Sequence, residues 1–266
     1  MSDAMPGIVL CGATGRTGNA VAHALAARMD VRVSALVAPS VASTPSRALP
    51  EGVAAFATLA EALDVVAESA VIVDLTHADA AVKHLELALG RGHHVVVGAT
   101  GFAPGAIEAL GEQFAAAGLG CFLVPNFSIG AVLAMRAARD MARHFPDVEI
   151  IETHHDGKRD SPSGTAVHTA QMVARARRDA GREPGPGAAS AGTGHGRGES
   201  IEGVPVHALR IPGATAHQEV VFGAPGEVVT IRHDAIDRSC YAAGVVAAVA
   251  HVSDVRGLEI GLEHVL

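Results

Sequence analysis

The sequence predicts an α/β fold, with a doubly wound parallel sheet followed by a second, α+β domain that has a mixed or antiparallel sheet. Two observations predict the parallel sheet. Short apolar runs recur through the first half of the chain, and helix-compatible sequence separates each run from the next. Later strand candidates alternate between apolar and polar residues, which is typical of a sheet with one covered face and predicts the second domain. The length of 266 residues suits two modest domains.

Strand candidates of the first half begin close to the amino terminus. They are Ile8–Cys11, Val31–Val37, Val71–Leu75, Val95–Gly98 and Cys121–Val124. An alanine-rich helical stretch from about Ser128 to His144 then leads away from the sheet. The terminal stretch regains helical periodicity from Tyr241 to Val255, with a last strand at Leu258–Leu262. We therefore predict a first domain over residues 1–127, to which residues 237–266 return, and a second domain over residues 128–236.

The predicted second domain contains four strand candidates. They are Val148–Glu152, Val204–Ile211, Gln218–Phe222 and Val228–His233, the last two flanking a hairpin turn at Gly223-Ala224-Pro225-Gly226. The stretch Gly181–Gly203 has eight glycines and two prolines, so ordering it as a regular element carries a large entropic cost. We expect this stretch to be a loop.

Composition narrows the class of partner. A formal net charge of −8 argues against a nucleic-acid surface and favours a small-molecule ligand. The three cysteines match no CxxC spacing, which is typical of reduced cytosolic thiols. The N-terminal residues lack a signal-peptide pattern, and no run approaches 18 apolar residues. We expect a soluble, cytoplasmic protein without a membrane partner.

A glycine-rich turn follows the first strand candidate. The pattern Gly12-x-x-Gly15-x-x-Gly18 opens into a helical pattern, which lets backbone N–H groups and the positive helix end meet a pyrophosphate. A Rossmann-type dinucleotide site is the functional interpretation, and a plain strand-to-helix connection is the alternative. The predicted cofactor contacts here are Gly12, Ala13, Thr14, Gly15, Arg16, Thr17 and Gly18.

The choice of nucleotide stays open between NADPH and NADH. The acidic residue that binds the adenosine ribose falls at the end of the second strand in such folds, and Val37 and Ala38 stand there. Several nearby residues could instead bind a 2′-phosphate, so the sequence slightly favours NADPH. These residues are Arg16, Arg47, Ser40, Ser43 and Ser46.

Two further turns end neighbouring strands of the predicted sheet. Asp74-Leu75-Thr76-His77 ends the third strand, and Gly98-Ala99-Thr100-Gly101 ends the fourth. The carboxyl ends of parallel strands form the crevice in which ligands bind, so Thr76, Gly98, Ala99 and Thr100 are candidate cofactor residues. An ordinary strand-to-helix turn is an equal alternative for the second of these turns.

The densest chemical signal is the stretch from His154 to Thr165. It holds two histidines, Lys158 and the turn Ser163-Gly164-Thr165, which precedes a helix extending from Ala166 to about Ala180. The amides at that helix start and the Lys158 cation would form a carboxylate site, and histidines exchange protons near neutral pH. The stretch therefore predicts a small anionic substrate that gains a hydride and a proton.

Other interpretations of these residue types are weaker. A metal site built from His154, His155, Asp156 or Asp160 is disfavoured because adjacent strand residues point to opposite faces, so we predict no metal. Ser163 lacks the surroundings of a nucleophile elbow. The pair His93-His94 merely precedes a strand, and we predict a structural role for it.

These motifs together resemble the dihydrodipicolinate reductase family along nearly the whole chain. The glycine loop resembles the family's cofactor loop, and the turns after Asp74 and Gly98 resemble its crevice turns. Val124-Pro125-Asn126-Phe127-Ser128 resembles its interdomain hinge. Its most diagnostic motif is matched by Glu152-x-His154-His155-x-x-Lys158-x-Asp160-x-Pro162-Ser163-Gly164-Thr165-Ala166.

The resemblance implies reduction of 4-hydroxy-tetrahydrodipicolinate, a small dicarboxylate, by NAD(P)H to tetrahydrodipicolinate, on the route to diaminopimelate and lysine. It implies that His154 and Lys158 are acid–base groups and that Pro125, Asn126 and Phe127 join the cofactor site. It further implies a homotetramer formed through the second-domain sheet. The implied substrate contacts are His155, Lys158, Ser163, Gly164, Thr165 and Arg238.

Four positions depart from the family's usual residues: Thr17, Val37, Ala99 and Ser161. None of them removes a proposed acid–base group, and Ala99 and Val37 concern the nucleotide. Two other functions stay open. One is a paralogous reductase of another cyclic imine or unsaturated carboxylate, and the other is a non-catalytic NAD(P)-binding sensor.

Overall fold

A computed structural model describes residues 5–43, 48–182 and 195–266. The chain divides into two compact units. The first comprises the residues up to Ile129 together with Arg238–Leu266, and the second comprises Gly130–Asp237. Each unit has a sheet and a core of its own.

The first unit is built on a seven-stranded sheet in which all neighbouring strands are parallel. Its order is β12-β6-β5-β4-β1-β2-β3, in which β1 occupies the switch point of a doubly wound sheet. Short apolar runs form these strands because both faces of a parallel sheet are covered. The strands are β1 Ile8–Cys11, β2 Val33–Val37, β3 Ala55–Phe56, β4 Val71–Asp74, β5 Val95–Val97, β6 Gly120–Leu123 and β12 Gly257–Ile260.

The described residues of this unit form five α-helices. They are α1 Arg16–Ala26, α2 Leu59–Leu63, α3 Ala78–Gly90, α4 Ala106–Ala116 and α7 Tyr241–Val252. The short helix α2 starts at a capping box, in which Thr58 and Glu61 satisfy each other's backbone N–H groups. Fully buried side chains of the helices, such as Leu25, Leu85 and Phe114, pack against the sheet.

The second unit has a five-stranded mixed sheet in the order β11-β10-β7-β9-β8. Strands β7 and β9 are parallel, and the other three pairs are antiparallel. Together with the parallel sheet, this sheet confirms the predicted fold class. The elements are α5 Ile129–Ala142, β7 Asp147–His154, α6 Gly164–Asp179, β8 Glu199–Ile201, β9 Val204–Arg210, β10 Ala216–Ala224 and β11 Glu227–Ala235.

The prediction of a loop over Gly181–Gly203 was wrong at its carboxyl end. A 3₁₀ turn at His195–Arg197 leads into β8, which pairs with β9 from Glu199↔Val206 to Ile201↔Val204. Glu202 and Gly203 connect the two strands with φ angles of 50° and 84°, the left-handed region that tight hairpins require. The inter-strand hydrogen bonds offset the entropy lost by ordering this glycine-rich sequence. Residues 183–194 of the predicted loop lie outside the described residues.

The core of the second unit lies between one face of its sheet and helices α5 and α6. Val148 and Ile150 of β7, Val206 of β9 and Phe222 of β10 supply the sheet side. Helix α6 supplies Ala170, Val173 and Ala174. Alternate residues of β7 are thereby buried, which places Glu152 on the core face of the strand. Within the described parts of the chain, no helix is long and apolar enough to cross a membrane.

Candidate functional site

The glycine loop of the first unit presents bare backbone at the start of α1. Gly12 has a φ of 84°, and a Cβ on Gly18 would lie 2.1 Å from the Gly12 carbonyl oxygen. Gly15 is the N-cap of α1 and gives no side-chain cap, and the first helical turn carries no acidic residue. The residues present therefore fit a pyrophosphate, whose negative charge meets the positive helix end.

The end of β2 adjoins this loop. The Val37 carbonyl oxygen accepts hydrogen bonds from the Gly12 and Ala13 amides, at 2.9 and 3.2 Å. The Val37 side chain is buried. Thr14 Oγ1 lies 2.7 Å from Ser40 Oγ, which ties the loop to the segment after β2. The Ser43 hydroxyl donates to the Ser40 carbonyl. The other 2′-phosphate candidates, Ser46 and Arg47, lie outside the described residues.

A buried carboxylate fixes the turn after β4. Asp74 is fully buried, and its Oδ1 accepts hydrogen bonds from the Thr76 amide at 2.8 Å and the Thr76 hydroxyl at 2.5 Å. Its Oδ2 accepts a 2.5 Å hydrogen bond from His84 Nδ1. Sequence reasoning placed Asp74 only at a strand end and missed His84. An aspartate two residues before a threonine is a detectable turn signal, whereas the contact with His84 depends on α3 packing beside the strand.

The turn after β5 depends on a second close approach. A Cβ on Gly98 would lie 2.8 Å from the Phe127 ring and 2.9 Å from the Leu75 side chain, so a larger residue does not fit there. The Gly98 amide donates to the Asp74 carbonyl at 2.8 Å, which joins the turns after β4 and β5. The remaining cofactor candidates follow the carboxyl ends of β5 and β6: Ala99, Thr100, Pro125 and Asn126.

Cys11 joins Asp74 and His84 in a cluster of metal-ligand types. One ligand atom from each lies within 4.8 Å of the others. Burial and the charge of Asp74 raise the pKa of the Cys11 thiol well above its usual value, which disfavours the thiolate that binds metals. The Asp74 carboxylate already accepts three hydrogen bonds. The protein's own donors therefore already occupy the carboxylate of this cluster.

In the second unit, the His154–Thr165 segment starts at the end of β7 with a tight turn. The Lys158 amide donates to the His155 carbonyl at 3.1 Å, which closes the turn. The Lys158 Nζ atom then contacts both carboxylate oxygens of Asp160, at 2.8 and 2.7 Å. The Lys158 side chain is 22% exposed, so this cation is partly desolvated.

The start of α6 completes the predicted carboxylate site. Ser163 is buried and caps the helix, because its Oγ accepts a hydrogen bond from the Ala166 amide at 3.2 Å. Gly164 is exposed, and no atom lies within 4 Å of a Cβ built on it. Burial raises the pKa of Asp160. The contacts with Lys158 and the Gly164 backbone lower it by more, so the pKa is below its usual value. An anionic oxygen is therefore stabilised between Lys158 and this helix end.

Glu152 and Arg210 form a buried ion pair beside this segment. Arg210 Nη1 and Nη2 donate to the two Glu152 oxygens at 2.9 and 2.8 Å. His154 Nδ1 lies 2.5 Å from Glu152 Oε2, and the Ser163 amide donates to Oε1 at 3.0 Å. Burial raises the pKa of Glu152, and the hydrogen bonds from His154, Arg210 and Ser163 bring it down to about 2. Sequence reasoning gave Glu152 no role and missed Arg210.

The structure thus brings His154, Lys158 and the α6 start together in one unit. Arg210 connects them, because its Nη2 also donates to the Asp160 carbonyl at 2.7 Å. Arg238, the last predicted substrate contact, belongs to the first unit, in a 3₁₀ turn at Arg238–Cys240 before α7.

The second histidine pair has the structural role expected from the sequence. His93 Nδ1 bonds to the Ala70 carbonyl at 2.9 Å, and His94 Nδ1 accepts a hydrogen bond from the Gly120 amide at 2.9 Å. Both rings hold neighbouring segments of the parallel sheet.

Family models match both units of the chain. The model described as dihydrodipicolinate reductase, N-terminus, matches residues 7–127, and the model for the C-terminus of the same enzyme matches residues 130–266. The two matches leave almost none of the chain uncovered.

Curated relatives are similar over most of their length. A 4-hydroxy-tetrahydrodipicolinate reductase from Mycolicibacterium vanbaalenii is 41% identical over 236 residues, which cover 88% of this chain and 95% of the relative. The reductase of the same name from Corynebacterium diphtheriae is 40% identical over 258 residues, with 96% of each chain covered.

Solved structures agree with this relationship. A dipicolinate-bound dihydrodipicolinate reductase from Paenisporosarcina sp. TG-14 superposes with a TM-score of 0.83 at 34% identity, covering 98% of this chain and all of the other. A myo-inositol dehydrogenase from Corynebacterium glutamicum, 14% identical with a TM-score of 0.59 over 95% of this chain and 90% of its own, shares the fold alone. From its motifs, its two sheets and these matches, the chain belongs to the dihydrodipicolinate reductase family.

Proposed function

We propose that this chain is an NAD(P)H-dependent 4-hydroxy-tetrahydrodipicolinate reductase that works on the route to diaminopimelate and lysine. The observation that carries the proposal is the His154–Thr165 segment, where a cation and a helix start stabilise an anionic oxygen. The bare glycine loop after β1, in the same chain, supplies the dinucleotide site.

In the proposed reaction, the hydroxylated ring gains a hydride and a proton and loses water. The nicotinamide supplies the hydride when it is bound. The residues proposed to hold the nucleotide are Gly12, Ala13, Thr14, Gly15, Arg16, Thr17, Gly18, Thr76, Gly98, Ala99, Thr100, Pro125, Asn126 and Phe127. Bare backbone at Gly12–Gly18 and the rigid turns after β4 and β5 support this set.

The second unit's residues bind and protonate the substrate in this proposal. Lys158 and the α6 start, with Gly164 and Thr165, bind one carboxylate, and His155 adds a contact. Arg238, which belongs to the first unit, is the remaining proposed substrate contact. Ser163 supports them by capping the helix rather than by exposing its hydroxyl, because it is only 2% exposed. His154 and Lys158 exchange protons with the substrate.

Three finer points belong to the same proposal. NADPH is slightly preferred over NADH, because apolar Val37 and Ala38 replace the ribose-binding acid and Arg16 lies at the exposed loop. The enzyme assembles as a homotetramer through the second-unit sheet, where Leu209 is 43% exposed. It works in the cytoplasm, which the thiols of Cys11, Cys121 and Cys240 support, because none of the three forms a disulfide within the described residues. Light scattering of the purified protein tests the assembly.

A coupled assay tests the function. Dihydrodipicolinate synthase generates the substrate in place, and nucleotide oxidation is followed with NADPH and NADH in turn. Turnover that depends on the synthase supports the proposal, and NADPH is expected to give the higher kcat/KM. Oxidation no faster than the background with either nucleotide refutes it. Dipicolinate, which the Paenisporosarcina relative binds, is expected to inhibit competitively.

A growth assay separates this function from reduction of another cyclic imine. Expression in a bacterium that requires diaminopimelate is expected to restore growth without the supplement. The Lys158→Ala variant serves as the inactive control. Failure of the wild type to restore growth, together with tight nucleotide binding, would point to a different substrate.

A further inference from the structure

A carboxylate is buried on the core face of a strand whose other core residues are apolar. Glu152 follows Val148 and Ile150 on that face of β7, and its side chain has no exposed surface. A buried charge is costly unless it is paired and hydrogen-bonded. The free-energy cost of burying the Glu152 charge must be offset by hydrogen bonds and opposite charges. The residues that supply them indicate the role of this carboxylate.

The neighbours of Glu152 occupy both carboxylate oxygens. The Arg210 fork spans both, the Ser163 amide adds a bond to Oε1, and His154 Nδ1 adds one to Oε2. A two-pronged arginine contact fixes the carboxylate plane as well as its position. Arg210 and Ser163 thus fix the orientation of the Glu152 carboxylate relative to the His154 imidazole.

An ionised carboxylate can only accept hydrogen bonds. The pKa of Glu152, about 2, keeps it ionised throughout the neutral range. The proton in the His154–Glu152 contact therefore belongs to Nδ1 of the ring. In the neutral imidazole this leaves Nε2 as the basic nitrogen, and in the imidazolium it leaves Nε2–H as the proton that can be transferred.

Strand register places one charged residue directly beside His154. On β9, the residue in register with His154 is Arg210, and on β10 it is the uncharged Ala216. The next residue on β10, His217, has its Nδ1 atom 2.7 Å from Asp234 Oδ1 of β11. The balance between Glu152, which favours the imidazolium, and Arg210, which opposes it, sets the electrostatics of the ring.

Arg210 also reaches the other proposed acid–base group. Its Nη2 donates to the Asp160 carbonyl at 2.7 Å, and the Asp160 carboxylate binds Lys158. Its buried Nε has no hydrogen-bond partner among the described residues, and a buried donor without a partner is unfavourable. The guanidinium is thus oriented towards Glu152 and Asp160 at the expense of its own remaining hydrogen bond.

We propose that Glu152 and Arg210 are positioning residues that hold the His154 ring with its proton on Nδ1, so that Nε2 is the atom that exchanges a proton with the substrate. This inference rests on the proposed function, because it gives a geometry to the acid–base role of His154. Arg210 fixes the carboxylate, the carboxylate fixes the tautomer, and the same guanidinium fixes the loop that carries Lys158.

The tautomer is measured first, on the wild type and without substrate. Two-dimensional ¹⁵N NMR of histidine-labelled protein distinguishes a protonated Nδ1 from a protonated Nε2, and the His154→Gln variant identifies the His154 signals. We expect the Nδ1–H form. A neutral ring protonated on Nε2 overturns the inference, whatever the turnover is.

Kinetics of the Glu152→Gln variant provide the second test. The amide keeps the shape but loses the charge, so kcat should fall about 10²-fold or more, as when a catalytic histidine loses its orienting carboxylate. KM for the substrate should change less than about threefold, because no proposed binding group is removed. The His154 limb of the pH–rate profile should move to lower pH, and Glu152→Asp should partly restore it.

A matched control lies on the same strand. Glu149 pairs with His207 Nε2 at 2.7 Å and with Arg197, so it repeats the residue types of the Glu152 group. Glu149→Gln should leave kcat and the pH profile unchanged. Arg210→Lys serves if Glu152→Gln does not fold, since it keeps the charge and loses the fork. An unshifted pH profile in folded Glu152→Gln, or an undiminished kcat in folded Arg210→Lys, contradicts the inference, whereas an inactive wild type contradicts the proposed function.

Discussion

The Nζ atom of Lys158 lies between the two carboxylate oxygens of Asp160, 2.8 and 2.7 Å from them. The Gly164 backbone also stabilises that carboxylate and helps to lower its pKa. Asp160 therefore occupies the position that the proposal gives to a substrate carboxylate. The Asp160 side chain is 57% exposed, so it can move away when a dicarboxylate enters.

Removing the charge of Asp160 should strengthen dicarboxylate binding. In Asp160→Asn, Lys158 and the Gly164 amide no longer have to exchange one anion for another. An exposed ion pair contributes about 1 kcal/mol or less, so we expect the Kd of dipicolinate to fall about two- to fivefold. Isothermal titration calorimetry measures this change, with Asp156→Asn as the control for charge alone. Weaker binding to Asp160→Asn would show that Asp160 orients Lys158 instead of competing for it.

Lys158 has an unusually clean control, because the chain contains just one other lysine, Lys83. Lys158→Ala should lower kcat by about 10²-fold or more, since it removes a proton donor and a carboxylate partner together. Lys83 lies exposed on α3, and Lys83→Ala should keep full activity. Steady-state kinetics measure both variants, and circular dichroism checks their fold. Activity of Lys158→Ala within twofold of the wild type would end its proposed role.

The glycine loop predicts a strong effect of one methyl group on nucleotide binding. A Cβ on Gly18 would lie 2.1 Å from the Gly12 carbonyl oxygen, so Gly18→Ala must push the loop away from α1. We expect NADPH to bind at least about tenfold more weakly, a loss of about 1.4 kcal/mol. Gly90→Ala, in α3, meets nothing within 4 Å and should bind normally. Nucleotide fluorescence titration gives the Kd, and unchanged binding by Gly18→Ala would argue against this loop as the cofactor site.

Glu152 should make stability depend on acid pH. Its pKa falls from 4.5 to about 2 in the folded protein, so its contribution is fully present above pH 4.5 and is lost as the pH falls towards 2. This contribution is on the order of 3 kcal/mol. The free-energy difference between wild type and Glu152→Gln in urea unfolding should therefore narrow from pH 5 to pH 3. A difference that stays constant over this range would mean that Glu152 is not strongly stabilised in its ionised form.

Much of the fold could be predicted because its signals are local. The apolar runs of β1, β4, β5 and β6 are buried on both faces, so each run is visible in the sequence without knowledge of its neighbours. Strand β8 could not be predicted in this way. Its three residues, Glu199–Ile201, are too few to show a periodic pattern and lie between glycines, and they become a strand through pairing with β9.

The candidate site also combines residues that are close in the sequence with contacts between distant segments. His154, Lys158 and the α6 start lie within twelve residues, so their proximity can be recognised from the sequence. The Glu152–Arg210 pair spans 58 residues and depends on the parallel register of β7 and β9. The contact between Asp74 and His84 depends on the packing of α3 against the sheet.

The sequence by itself determined the family, the fold class, the glycine loop and the identity of the proposed acid–base residues, because each is written in consecutive or regularly spaced positions. Only the tertiary structure decided which side chains hold those residues in place. It brought Arg210 into contact with Glu152, Glu152 with His154, and Asp160 with Lys158. Such contacts follow from strand register, turn geometry and the cost of burying a charge without a partner, and these depend on segments that are distant in the chain.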